Sequence, residues 1–155
     1  MSEAQKPPSV DVTFYIPCLD EEATVGPTLE MVAEASRRHG LRAEALVYDD
    51  GSTDGTGRVA RQVIERLRAE SPDFEGEVVR QEVSQGLGAN FFAGASRGRG
   101  ERYMLVNGDF SERAETLHDV LERLGEADEV ATIFADGDVR GPIRRGLSRL
   151  FTAAV

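Results

Sequence analysis

The sequence predicts an α/β fold built on a mostly parallel sheet with helices on its faces. Short apolar runs rich in β-branched and aromatic residues alternate along the chain with stretches whose apolar residues recur at helical spacing. Two of those runs end in acidic turns, Tyr48-Asp49-Asp50-Gly51 and Val106-Asn107-Gly108-Asp109, and open α/β sheets bind their ligands at the carboxyl ends of strands. With 155 residues the chain suits a single domain, which would bury about 68–70% of the surface its unfolded form exposes.

Residues 1–9 read as a disordered lead-in, and 10–155 as the domain. Val12, Phe14 and Ile16 alternate through Val10–Ile16, a first strand that Pro17 ends. The helix that follows turns Val25, Leu29, Val32, Ala33 and Ser36 inward. It carries acids before or in its first turn, where the helix dipole favours them, and Gly40 closes it. Ala45–Tyr48 reads as a buried second strand ending at Asp49. Asp50-Gly51 then turns the chain, and Ser52 or Thr53 accepts from the first free N–H groups of a helix with Val59, Val63, Ile64 and Leu67 on one face.

Beyond the Ser71-Pro72-Asp73 break, Glu77–Gln81 forms the third strand, and Ser84–Ser96 a glycine-rich turn leading into a helix of small residues. Arg102–Val106 is the fourth strand. Ser111–Leu124 is an amphipathic helix with Ala114, Leu117, Val120, Leu121 and Leu124 on its apolar side. His39 reads as a helix-end residue, and His118, beside that apolar stripe, as structural. Glu129–Phe134 is the fifth strand, and the Asp136-Gly137-Asp138 that follows reads as a turn, not a metal site. Last comes a basic helix over 140–151, with Ile143, Leu147, Leu150 and Phe151 on one side and Arg144, Arg145 and Arg149 on the rest.

The formal net charge of -10 argues against a nucleic-acid partner, whose phosphates need clustered basic residues. It also means that an anionic ligand needs a local remedy: a divalent cation, helix N-termini or a few placed arginines. The single cysteine, Cys18, excludes an intrachain disulfide and a cysteine zinc cluster. No apolar run approaches the roughly 20 residues that span a bilayer, and the first residues lack the apolar segment of a signal peptide. The expected location is cytoplasmic, with peripheral membrane contact through 140–151. The adjacent Asp49 and Asp50 repel one another and require a hydrogen-bond donor, a cation or water nearby; read alone, they cap and turn.

Read whole, Asp49-Asp50-Gly51-Ser52-Thr53-Asp54-Gly55-Thr56 after an apolar strand strongly resembles the nucleotide-binding loop of the family 2 glycosyltransferases. Pro17-Cys18-Leu19-Asp20-Glu21-Glu22 resembles that family's Pro-x-x-Asn-Glu-Glu opening, with Asp20 in place of Asn. The Gly86 and Gly88 segment is similar to its Asn-x-Gly-x-Gly-x-Ala, with Leu87 where a basic residue often stands. Asn107-Gly108-Asp109 resembles its Asp-x-Asp, with Asn107 in place of the first acid. The basic helix is similar to one in dolichyl-phosphate-mannose-synthase-like members.

The resemblance implies the GT-A fold with its Rossmann-like sheet, apparently truncated to the nucleotide-sugar-binding part with the acceptor-binding half absent. It implies transfer of a sugar, with inversion, from a UDP- or GDP-linked donor to an acceptor such as a polyprenyl phosphate. On the same ground Pro17, Leu19 and Glu21 wall the nucleotide pocket, and Asp20 makes that pocket more negative. Asp49 contacts the base with Asp50 and Asp54 as supports. Gly86, Gly88, Asn107 and Gly108 contact the donor, and Asp109 holds Mg²⁺ or Mn²⁺. No catalytic base can be named. The alternative is a fragment or degenerate relative that holds a nucleotide sugar without turnover and needs a partner. A half-fold with an exposed sheet edge would also favour a homodimer.

Overall fold

A computed structural model describes residues 10–126. The tail 1–9, the fifth strand, the Asp136-Gly137-Asp138 turn and the basic helix 140–151 lie outside the described residues. Within them the elements alternate: β1 (Val10–Cys18), α1 (Val25–Arg38), β2 (Ala43–Asp49), α2 (Thr56–Glu70), β3 (Phe74–Arg80), α3 (Leu87–Arg97), β4 (Gly100–Leu105) and α4 (Ala114–Glu122).

All pairings are parallel, in the order β3-β2-β1-β4. The chain winds outward from β1 through β2 to β3, then returns to add β4 on the other side of β1. That reversal opens a crevice between the carboxyl ends of β1 and β4, the switch point at which doubly wound sheets hold ligands.

The two central strands, β1 and β2, are buried on both faces, as parallel strands covered by helices must be. Val12, Phe14 and Ile16 of β1 join Ala45 and Val47 of β2 in the larger core, with Val25, Leu29, Val32, Ala60 and Ile64 from the helices. Phe14 is 0% exposed, and full burial of such a side chain contributes roughly 1.5–3 kcal/mol. The opposite face packs Tyr15, Leu46 and Tyr48 against Phe91, Tyr103 and Leu105, with the Phe91 ring edge-on to Tyr15.

Several expectations need correction. Pro17 does not end β1, which continues to Cys18. Proline lacks only the donor, and the carbonyls of Pro17 and Cys18 still accept from Gly108 N–H at 3.1 Å and Asp50 N–H at 2.9 Å. Neither Ser52 nor Thr53 caps α2. The helix starts at Thr56, whose N–H donates to Asp54 Oδ1 at 2.9 Å. β3 begins at Phe74, before the expected Glu77, because buried Phe74 anchors it while its acidic residues face outward along the sheet edge. The two histidines are not isolated: His39 Nε2 and His118 Nδ1 sit 3.1 Å apart where α1 meets α4. Gly40 closes α1 as expected, with φ +64° and Leu41 N–H donating to Ser36 O at 2.9 Å.

Candidate functional site

Two loops at the carboxyl edge of the sheet hold each other through reciprocal hydrogen bonds. Asp20 N–H donates to Ser52 Oγ at 3.0 Å, and Thr53 N–H donates back to Asp20 Oδ1 at 2.7 Å. One step along, Glu22 N–H donates to Asp54 Oδ2 and Gly55 N–H to Glu22 Oε2, both at 3.0 Å. Glu21 N–H meets Thr56 Oγ1 at 2.8 Å. Asp20 occupies the left-handed region at φ +57°, which short polar residues tolerate better than others. Its carboxylate is therefore turned to the β2–α2 loop, and Asp20 is not among the residues lining the cavity described below.

Asp49 and Asp50 point to opposite faces of the sheet. The Asp49 side chain is 0% exposed; it accepts from Ser52 N–H at 2.9 Å and from Arg80 Nη1 at 2.7 Å. Gly57 in the first turn of α2 is required here, because a Cβ would lie 2.6 Å from Asp49 Oδ2. Asp50 turns toward α3. Its Oδ2 accepts from Ser84 Oγ at 2.6 Å and Gly86 N–H at 3.1 Å, and its Oδ1 from Gln85 N–H at 2.8 Å and Asn90 Nδ2 at 2.7 Å. Burial works to raise the Asp50 carboxyl, but these four donors outweigh it and hold the group below its ordinary value.

At the end of β4, Gly108 packs against β1 so closely that a Cβ would collide with Cys18 Sγ and approach Pro17 O at 2.8 Å. Asp109 Oδ1 accepts from Ser111 N–H at 3.0 Å, and Phe110 takes φ +57°. This tight turn swings Glu112 back onto Asn107: Glu112 Oε1 accepts from Asn107 Nδ2 at 2.7 Å and from Asn107 N–H at 3.1 Å.

These segments enclose a cavity of about 390 Å³ at the switch point. Tyr15, Pro17, Cys18, Leu19 and Glu21 line it from β1 and its loop, and Asp50 from β2. Ser84, Gly86, Leu87 and Asn90 come from the approach to α3, and Asn107, Gly108 and Asp109 from the end of β4. Of the residues singled out in the sequence, Pro17, Leu19, Glu21, Asp50, Gly86, Asn107, Gly108 and Asp109 thus share one wall-to-wall site. Asp49, expected at a base, stands behind it in the core, and Gly88 is not among the lining residues.

Tyr15, Cys18, Ser84 and Asn90 were not singled out. Buried Asn90 stands in a helix of small residues, a position where Asn is intrinsically unfavourable. That is the signal that could have found it.

Among the described residues the lining includes three acids, Glu21, Asp50 and Asp109, and no basic residue. Burial pushes the Cys18 thiol well up, and the charges of Glu21, Asp49, Asp54 and Asp109 add to it. Tyr15 is wholly buried with its hydroxyl unpartnered; burial first, then Asp50, push that phenol up to about 12. Among the described residues no group of three or more His, Cys, Asp or Glu is arranged to hold a metal. The oxygens of Asn107 and Asp109 are nonetheless hard donors of the kind Mg²⁺ and Mn²⁺ take, and two protein ligands suit a cation completed by phosphate oxygens and water.

The chain is 29% identical over 119 residues to a dodecaprenyl-phosphate galacturonate synthase of Rhizobium johnstonii, covering 75% of this chain and 33% of that protein. It is 27% identical over 154 residues to an undecaprenyl-phosphate 4-deoxy-4-formamido-L-arabinose transferase of Pseudomonas paraeruginosa, covering 97% of this chain and 43% of that protein. The chain therefore spans less than half the length of these relatives.

Among solved structures, the fold matches mannosyl-3-phosphoglycerate synthase from Rubrobacter xylanophilus with a TM-score of 0.61 at 22% identity, over 77% of this chain and 37% of that one. It matches S. aureus TarS 1-349 in complex with UDP-GlcNAc at 0.57 and 24%, over 76% and 32%. A third match is the mannosyltransferase PcManGT from Pyrobaculum calidifontis in complex with GDP-Man and Mn²⁺, at 0.55 and 20%, over 76% and 33%. At such identities the likeness is one of fold, and the fold is that of the GT-A glycosyltransferases. The family model described as glycosyl transferase family 2 matches residues 13–153, and the chain belongs to that family.

Proposed function

We propose that this chain carries the donor-binding part of an enzyme that transfers a sugar, with inversion, from a nucleotide-diphosphate sugar to an acceptor. The observation that carries the reading is a switch-point cavity lined, among the described residues, by three acids and no basic residue. A divalent cation would offset the repulsion that an anionic diphosphate meets among these acids. A hard divalent ion, Mg²⁺ or Mn²⁺, would be held by Asp109 and the amide oxygen of Asn107. When bound it would neutralise charge on the departing nucleoside diphosphate.

The chain's own residues supply the rest. Asp50, and not the buried Asp49, faces the cavity and is the acceptor for a base N–H, as in uracil or guanine. The Ser84 hydroxyl and the Gln85 and Gly86 N–H groups now held by Asp50 become available when a base displaces them. Gly108 keeps the end of β4 against β1, so that Asn107 and Asp109 face Glu21 across the crevice. Asp54 and Asp20 fix the two loops and serve the site indirectly. Gly86 leaves room for the donor at the start of α3, and Gly88 stands two residues further on, where a Cβ would likewise meet nothing within 4 Å.

Two relatives named for polyprenyl-phosphate substrates make a polyprenyl phosphate the favoured acceptor. Its phosphate oxygen is already an anion, so a general base would be dispensable. No helix among the described residues is long and apolar enough to cross a membrane, and a lipid acceptor would require contact at the membrane surface.

Asn107 in place of an acid, and exposed Leu87 at the rim, favour a second reading: a binding module that turns over only with a partner chain or a second copy. Calorimetric titration of UDP, GDP and their sugar conjugates, with and without Mn²⁺, tests both. Metal-dependent binding lost in Asp109→Ala supports the donor site, and turnover of a UDP- or GDP-sugar by the chain alone excludes the second reading. A folded protein that binds none of them overturns both.

A further inference from the structure

Resting on that donor-site reading, we propose that Glu112 is a positioning residue that replaces the charge missing at Asn107 and aims the Asn107 amide oxygen at the cation. Glu112 Oε1 accepts from two donors of the same residue, Asn107 N–H at 3.1 Å and Asn107 Nδ2 at 2.7 Å. A carboxylate can only accept, so the amide must turn its NH₂ to Glu112 and its oxygen the other way. Asn107 lines the cavity beside Gly108 and Asp109. The same cavity is lined by Asp50 and Glu21, so Asn107 and Asp109 share it with two further carboxylate-bearing residues.

The charge of Glu112 is uncompensated by its hydrogen-bond partners. Among the described residues these are Asn107 and, at 3.5 Å, Ser111 Oγ, all neutral. One carboxylate in contact with a cation at Asp109 and a second one hydrogen bond behind Asn107 give the site two negative charges, the number that a pair of acids at 107 and 109 would give. The exchange is reciprocal: an acid at 107 would face the Glu112 carboxylate with no proton between them, and the two would repel. Asn107 and Glu112 therefore belong together.

The test is Mn²⁺ binding, followed by electron paramagnetic resonance, with Mn²⁺ alone and with UDP or GDP added. Glu112→Gln is isosteric and removes only the charge; it should weaken Mn²⁺ binding about tenfold, the scale of one charge acting near a protein surface. Moving the charge in Asn107→Asp/Glu112→Gln, where the new amide donates to the new carboxylate, should restore affinity to within about threefold. Equal Mn²⁺ affinity in wild type and Glu112→Gln, or a double variant no better than Glu112→Gln, overturns the role of Glu112 and leaves the donor site standing. No Mn²⁺ bound by wild type under any of these conditions overturns the metal reading of the donor site and this inference with it.

Discussion

Asn90 Nδ2 donates to Asp50 Oδ1 at 2.7 Å, tying the first turn of α3 to the carboxyl end of β2 across the mouth of the cavity. With Ser84, Gln85 and Gly86 on the same carboxylate, Asp50 is filled to the capacity of an ionised carboxyl group. A nucleobase that bonds to Asp50 must therefore take the place of one of these donors. Asp50→Ala should speed amide exchange at Gln85 and Gly86 by about tenfold or more, the loss of a charge-assisted bond of about 1.5–3 kcal/mol. It should also abolish nucleotide binding. Hydrogen exchange of wild type with saturating UDP or GDP should show the same amides changed; unchanged amides on binding would place the base elsewhere.

Acid should release this loop late. The folded Asp50 carboxyl lies below its ordinary value, so its contribution is complete above the unfolded value near 3.9 and is lost as pH falls through the lower, folded one. Amide chemical shifts of Gln85 and Gly86 should hold steady down to about pH 4 and move only beneath it. In Asp50→Asn that movement should be absent.

Asp49 should matter for stability and not for the ligand. Removing a wholly buried carboxylate leaves the Ser52 N–H unsatisfied and Arg80 without its charged partner, with only the Ser52 carbonyl left to accept from it. Asp49→Ala should cost about 2–4 kcal/mol in urea denaturation, the lower end being favoured because the Arg80 side chain is 47% exposed. Nucleotide affinity, measured well below the transition, should stay within a few-fold of wild type.

The strand pattern already contained the difference between these neighbours. Val47 belongs to the larger core, and alternation along β2 sends Asp49 to the same face, beneath α2, and Asp50 with Tyr48 to the α3 face. Motif likeness marked the acidic pair; counting parity from Val47 identifies the member that faces the cavity. Other features were legible because backbone chemistry is local: Gly40 takes positive φ at the end of α1, and the two acid turns follow apolar runs. Glu112 was not legible, since nothing in Asn107-Gly108-Asp109-Phe110-Ser111-Glu112 announces that Phe110 takes φ +57° and folds Glu112 back onto Asn107. The meeting of His39 and His118 was hidden for the same reason. It depends on α1 packing against α4, a contact between residues 79 apart in sequence.

Gly108 lines the site, and its constraint is steric. A methyl group there would collide with Cys18 Sγ and press on Pro17 O at 2.8 Å, while Gly108 N–H donates to that same carbonyl at 3.1 Å and Gly108 O accepts from Thr28 Oγ1 at 3.3 Å. Gly108→Ala must therefore move the end of β4 away from β1, a change of the overpacking kind that costs about 1–3 kcal/mol. Because Asn107 and Asp109 flank it, Mn²⁺ and nucleotide binding should fall further than stability does. Cys18→Ala in the same chain removes the sulfur but not the Pro17 carbonyl, so the double variant should regain part of the lost stability and only part of the binding. Full recovery would show that the sulfur alone set the spacing, and no recovery that the backbone contact alone does.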